Sequence, residues 1–290
     1  MTESLTRRAG AVLLAAALAL LVAGFASFVW GGLLLTNLVT IPTIPWSFVV
    51  MAGVLWSMWQ YLGGRWRPRG TSERRRTLLR FRPAPRAVTG WALLAGGLSL
   101  VALVGLWITL VELTKVGGNP TIPTGKGVPA WALALLLVMG SFVSSLTEEW
   151  AFRGYAQVTL ERVFGGGAVV ISSLLFMLYH GPTQGFAWSK LLFYFLVGVV
   201  FGTIAFLSKT TLLAWPAHLA GDLTFVFLIW PNDATRPYVF HDGTSASFWL
   251  YAALAVVFTG LALLAFRQLS RVTRASRAEP IGANAGLAAS

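Results

Sequence analysis

Apolar residues in this chain fall in long runs, with polar residues collected between them. Eight runs approach the ~20 residues that a helix needs to cross a bilayer. They lie near 10–34, 44–62, 89–113, 130–152, 167–181, 188–208, 211–230 and 247–266. The pattern predicts an all-α, polytopic membrane protein with eight transmembrane helices. The first run follows Arg7 and Arg8. Ala23 and Ala26 loosely resemble a cleavage site. The run is longer than the ~7–15 residues of a signal-peptide core, so a retained helix is expected. No internal repeat is visible.

Composition agrees with the pattern. Of 290 residues, 56% are hydrophobic and 11% are charged, against about 25% charged in soluble domains. The net charge of +12 raises the question of nucleic acid, but the charges sit between apolar runs and no nucleic-acid partner is expected. The 63–88 loop holds nine arginines: Arg65, Arg67, Arg69, Arg74, Arg75, Arg76, Arg80, Arg82 and Arg86. The positive-inside rule makes this loop cytoplasmic, and eight spans then place both termini on the same side. Arg162, Lys209, Arg267, Arg271, Arg274 and Arg277 also fall there, whereas Lys115, Lys126, Lys190 and Arg236 fall outside. The loop reads as a topology and anionic-lipid anchor. Tryptophans near run ends, such as Trp30, Trp46, Trp91, Trp131, Trp188, Trp230 and Trp249, read as interfacial belts. The outer connections Lys115–Pro129 and Pro231–Thr244 are short, the latter carrying Asp233, His241 and Asp242. No soluble domain is expected. The absence of cysteine excludes disulfides, thiol catalysis and cysteine metal sites.

The informative residues are the ionisable ones inside the runs. Glu148-Glu149-Trp150-Ala151-Phe152-Arg153 ends the fourth run. A charge at membrane depth costs about 2.5–3.5 kcal/mol on insertion scales, so it persists where it pairs, lines a wet cavity or does chemistry. Glu149 and Arg153 are four apart and share a helix face, which predicts a structural pair. Glu148 points about 100° away, free for another partner. His180 follows Phe176 by four, and His218 precedes Asp222 by four. Phe176 would shelve beneath His180, while His218 and Asp222 point together. Glu112, at the outer end of the third run, reads as interfacial. Ser144 precedes Glu148 by four, Ser141 precedes Ser145 by four, and Ser172 precedes Phe176 by four. They either line a polar cavity or allow close helix contact, the commoner use of small residues. Pro216 either opens a gap beside His218 or is an ordinary transmembrane proline. A set of carboxylate, histidine, histidine and carboxylate has two chemical readings. Glu148 can be a general base with the histidines orienting water and stabilising an oxyanion. Alternatively His180, His218 and a carboxylate can bind a divalent metal such as zinc.

Glu-Glu-x-x-x-Arg, then Phe-x-x-x-His, then His-x-x-x-Asp, in that order on successive membrane helices, resembles the CPBP family. These are the CAAX proteases and bacteriocin-processing proteins, also called the abortive-infection family. The resemblance spans roughly Ala130 to Trp230 and includes Phe152-Arg153-Gly154 after the glutamates. It implies an intramembrane endopeptidase of glutamic type whose cavity lies among eight helices, with no cofactor; zinc is the less favoured alternative. Carried over by motif position, Glu148 activates water, His180 helps hold it, and His218 and Asp222 line the oxyanion site. Glu149, Arg153 and Phe176 support them. The family has Asn or Asp at the last position. An ionised Asp222 cannot donate to an oxyanion, so it is either protonated or orients His218.

The division expected is 1–129 for three helices with the arginine-rich loop, 130–230 for the catalytic core, 231–267 for an outer loop and the last helix, and 268–290 for a basic, then Ala/Gly-rich disordered tail. The substrate expected is a membrane-associated peptide or protein; the oligomeric state is open. The Ala-, Arg- and Trp-rich, Lys-poor composition points to a GC-rich bacterial genome, hence the bacterial inner membrane, and disfavours a prenylated substrate. The rivals are a non-catalytic regulator or immunity protein of the same fold and a proton-coupled transporter. One geometric demand follows. If the fourth helix ends near residue 152, Glu148 and His218 lie low, whereas His180 lies ~14 residues, or about 21 Å, up its own helix. Segment 155–166 is therefore expected to fold back within the membrane, or the fifth helix to start low and tilt, ending at His180-Gly181-Pro182.

Overall fold

The computed structural model describes residues 2–118 and 127–278. Lys126 and most of the expected disordered tail lie outside the described residues. The described residues contain no strand. The N-terminal helices α1 (Thr2–Ala19) and α2 (Phe25–Thr40) run on through a π-helical turn at Leu20–Gly24. Then come α3 (Trp46–Leu62), the short α4 (Ser72–Leu79) inside the arginine-rich loop, and α5 (Arg86–Thr114). Next, α6 (Ala130–Glu148) passes through a π-helical segment, Glu149–Ala156, into α7 (Gln157–Phe164). The chain reverses at Gly165–Gly167 and returns as α8 (Ala168–Gln184). The remaining helices are α9 (Trp188–Ser208), α10 (Trp215–Thr224) with its continuation to Thr235, α11 (Val239–Asp242) and α12 (Ala246–Ala278).

Among the described residues, five helical runs are long and apolar enough to cross a membrane: Leu5–Thr40, Arg86–Thr114, Ala130–Gln184, Trp188–Ser208 and Ala246–Ser276. The third comprises both legs of the α6–α8 hairpin. The expected runs 44–62 and 211–230 are helical over Trp46–Leu62 and Trp215–Ile229 but do not reach that length. The outer surface carries apolar side chains such as Phe28, Leu13 and Val256, as a lipid solvent requires. These helices are those of a multi-pass membrane protein.

Three expectations need correction. Segment 155–166 does not fold back: it is helical to Phe164, and the reversal falls at Gly165–Gly167. Helix α8 does not stop at His180 either. It continues to Gln184 with Pro182 inside it. Pro216 neither kinks a helix nor sits mid-span. It occupies the first turn of α10, where a missing N–H costs no hydrogen bond. The chain before it, Lys209–Ala214, is a connector whose Lys209 is left-handed, with φ 57°.

That connector is held by the arginine-rich loop. The Thr211 hydroxyl donates to Leu79 O at 2.9 Å and the Thr210 hydroxyl to Arg82 O at 2.6 Å, while Thr211 N–H donates to Arg80 O at 3.1 Å. Arg75 is buried and donates to the carbonyls of Tyr61, Trp66 and Pro68 at 2.5, 2.6 and 2.9 Å. Arg80 grips both oxygens of Glu161 at 3.1 and 3.0 Å. Lys209 reaches the same carboxylate at 3.0 Å. Two of the nine loop arginines are thus structural ties, not lipid anchors.

Candidate active site

The signature Glu-Glu-x-x-Phe-Arg-Gly coincides with the α6–π–α7 junction. A π turn breaks the regular i to i−4 ladder, and such segments concentrate at functional sites. Here the displaced backbone is tied down. Phe152 O accepts from the Ser172 hydroxyl at 2.9 Å and Arg153 O from Arg80 Nη2 at 3.3 Å. Tyr155 Oη donates to Leu62 O at 2.9 Å. Gly154 admits the loop: a Cβ there would stand 3.2 Å from both Leu78 O and Leu79 O.

The continuous helix removes the geometric difficulty. Glu148 stands 16 residues before Phe164, about 24 Å above the turn, and His180 stands 12 residues after Ala168, about 18 Å above it. Two antiparallel legs of comparable rise bring their side chains within reach of one another. His180 Nε2 lies 3.7 Å from Glu148 Oε2, and His218 Nε2 lies 3.7 Å from the same oxygen. Both distances exceed a hydrogen bond. Asp222 Oδ1 lies 3.6 Å from His218 Nε2. All four residues expected at the centre are brought together.

Each imidazole is oriented by its far nitrogen. His180 Nδ1 lies 2.9 Å from Phe176 O. A carbonyl can only accept, so Nδ1 carries hydrogen and a neutral ring turns its Nε2 lone pair toward Glu148. His218 Nδ1 lies 2.8 Å from Glu149 Oε1. That oxygen also stands 3.5 Å from Arg153 Nε. Glu149 therefore serves both the arginine and His218, a second role not evident from its spacing. Arg153 is buried, with its guanidinium carbon 4.2 Å above the Phe176 ring centroid. Phe176 lies between both imidazoles and Arg153, with its ring 4.4 Å from His180 and 6.1 Å from His218.

Ser144 donates to Glu148 Oε1 at 3.1 Å, so it lines the polar site and does not merely allow close helix contact. Ser141 and Ser145 do the ordinary thing and bond back to carbonyls four residues earlier, at 3.1 and 2.6 Å. Glu112, expected at the interface, is 1% exposed and buried in protein. Two residues were missed. Tyr194 stacks on His180 with centroids 4.1 Å apart and planes at 15°, and Phe201 stacks on His218 at 4.6 Å and 23°. They are seven apart on one face of α9. That spacing was the available signal, hidden in a helix rich in aromatics.

Glu148 Oε2 and Asp222 Oδ2 are buried and have no hydrogen-bond partner among the described residues. No group of three or more His, Asp or Glu side chains among those residues is placed to hold a metal ion.

Residues 129–224 match the Rce1-like family model, described as type II CAAX prenyl endopeptidase Rce1-like. This segment is similar to a CAAX-protease-family domain. No curated protein and no solved structure matched the chain. The CAAX-protease match covers α6 to α10, which carry Glu148, His180, His218 and Asp222. It points to an intramembrane endopeptidase.

Proposed function

We propose that the protein hydrolyses a peptide bond of a membrane-associated peptide or protein, using water activated by Glu148. One observation carries this reading: the unpartnered Glu148 Oε2 lies equidistant, at 3.7 Å, from Nε2 of His180 and His218. A water in this cluster can donate one hydrogen to Glu148 Oε2 and the other to the His180 Nε2 lone pair. Its oxygen then attacks the scissile carbonyl as Glu148 takes the proton. The tetrahedral oxyanion is met from the His218 side. His218 can donate through Nε2 when the ring holds both protons, and Glu149 at Nδ1 and Asp222 near Nε2 are then its counter-ions. Glu148 finally returns its proton to the leaving amine, so the acid–base cycle closes on one carboxylate. The two imidazoles and a carboxylate are competent zinc ligands by type, which makes metal-assisted hydrolysis the alternative that the experiment must separate. No step is routed through a metal.

The eight-span topology, with both termini on the cytoplasmic side, belongs to this proposal. It counts α3, α10 with its continuation, and the two legs of the α6–α8 hairpin as separate spans.

The test is cleavage of a membrane-anchored peptide by protein purified in detergent, with products identified by mass. Cleavage should survive exhaustive chelation; loss on chelation and recovery with stoichiometric zinc would establish the metal chemistry instead. Asp222→Asn separates two roles of the last motif residue. If Asp222 serves as a hydrogen-bond donor, the amide should keep the rate within roughly fivefold, the value of one neutral hydrogen bond near 1 kcal/mol. It should also flatten any fall in rate at high pH, since an amide does not ionise. A larger loss across the whole pH range would show that the carboxylate itself is required as the His218 counter-ion.

A further inference from the structure

Helices α5 and α12 pack antiparallel. At Gly105 they touch: a Cβ there would lie 2.6 Å from Tyr251 O and 2.8 Å from Ala255 N. Small residues permit such close approach in membranes. Toward the other end of the pair a groove of about 490 Å³ opens between them. Its walls include Trp91, Leu94 and Leu98 from α5 and Leu264 from α12, and its far end is formed by Arg267 and Arg271. That end adjoins the start of α5 at Arg86, and so the arginine-rich loop.

The groove is amphipathic along its length. Leu94 and Leu264 are exposed at 47% and 58%, so the upper part offers apolar surface to lipid chains. Arg267 and Arg271 are four apart, exposed, and on one helix face. No Asp or Glu occurs anywhere in α12. Neither arginine has an ion pair or hydrogen bond among the described residues. This sets them apart from Lys209, whose charge is taken up by Glu161 at 3.0 Å, and from Arg80, which holds the same carboxylate. Two unpaired guanidinium groups one turn apart match the oxygens of a phosphate. Trp91 stands beside them, where an aromatic anchor meets headgroups.

We propose that this groove is a binding site for one anionic phospholipid, with the phosphate on Arg267 and Arg271 and an acyl chain along Leu94, Leu98 and Leu264. A soluble phosphate would use the arginines but not the exposed leucine walls, so a lipid is the occupant that accounts for both. The site lies on α5 and α12, outside the residues of the catalytic proposal, and stands whether or not that proposal does.

The test is native mass spectrometry of the full chain released from detergent after equilibration with phosphatidylglycerol or phosphatidylcholine. The wild type should retain phosphatidylglycerol in preference to phosphatidylcholine by about tenfold or more, since each basic residue strengthens attraction to an anionic headgroup. An Arg267→Gln/Arg271→Gln protein should lose that retention. Arg69→Gln/Arg74→Gln, which removes the same charge from the exposed part of the loop, should keep it. Leu98→Trp keeps both arginines but fills the groove and should displace the lipid as well. Equal retention of the two lipids by the wild type, or undiminished phosphatidylglycerol on the Arg267/Arg271 variant or on Leu98→Trp, overturns the proposal. Unchanged thermal midpoints in detergent alone establish that the variants are folded.

Discussion

Glu148→Gln should abolish peptide cleavage while leaving the protein at least as stable as the wild type. The amide has nearly the same shape, and its oxygen can still accept from Ser144, now 3.1 Å from Glu148 Oε1. It cannot take a proton from water. Loss of a positioned general base costs about 10²–10⁴ in rate, and here the same group would return the proton to the leaving amine, so the upper end is expected. Stability should not fall. Glu148 is not the counter-ion of Arg153, which is 3.5 Å from Glu149 instead, and a neutral amide is easier to bury than a carboxylate. The measurement is single-turnover cleavage beside a thermal melt in the same detergent. Cleavage at the wild-type rate would remove Glu148 from the mechanism.

Glu149→Gln should fail differently, losing both activity and stability. Glu149 is fully buried and its Oε1 serves two neighbours, His218 Nδ1 at 2.8 Å and Arg153 Nε at 3.5 Å. Removing its charge leaves the Arg153 guanidinium buried with no partner at that distance. Breaking a buried pair from one side costs about 3–5 kcal/mol. The Phe152, Phe176 and Phe201 rings around the guanidinium would recover part of this through their π faces. A second substitution separates the two losses. Arg153→Met added to Glu149→Gln removes the orphaned charge and should restore most of the melting midpoint. It should not restore cleavage, because His218 Nδ1 still faces an amide in place of a carboxylate. Full recovery of activity in the double variant would show that Glu149 matters only to folding.

This division of labour was only partly legible in the sequence. Spacing of four along one helix placed Glu149 with Arg153 and His218 with Asp222, and both pairs form. A pattern within one helix carries no information about the helix opposite, so the contact from Glu149 to His218 was invisible. Glu148 was correctly set apart, and its partner His180 was expected to need an unusual chain path. The path is ordinary. The apolar run stops near residue 152, and the polar Gln157, Glu161 and Arg162 follow it. Gln157 instead donates to Gly202 O at 3.0 Å, and Glu161 is held by Arg80 and Lys209. Polar residues satisfied inside protein let the helix run on for three more turns. Tyr194 and Phe201 escaped for the opposite reason: an aromatic on an apolar helix carries no mark of the ring it will stack upon.

Docking of the arginine-rich loop has a practical side. Nine arginines in one connection look like an open invitation to trypsin. Yet Arg75 and Arg80 are 6% and 8% exposed and are held by carbonyls and by Glu161. Arg69 and Arg74 stand clear. Cutting should therefore fall at exposed arginines such as Arg69, Arg74 and Arg76, spare the bond after Arg80, and leave the segment around Arg80 attached to the connector before His218. A nicked protein would still hold its active-site helices in register. In sealed vesicles, whether the exposed loop is cut from outside or only after the membrane is opened would report which way the molecule faces.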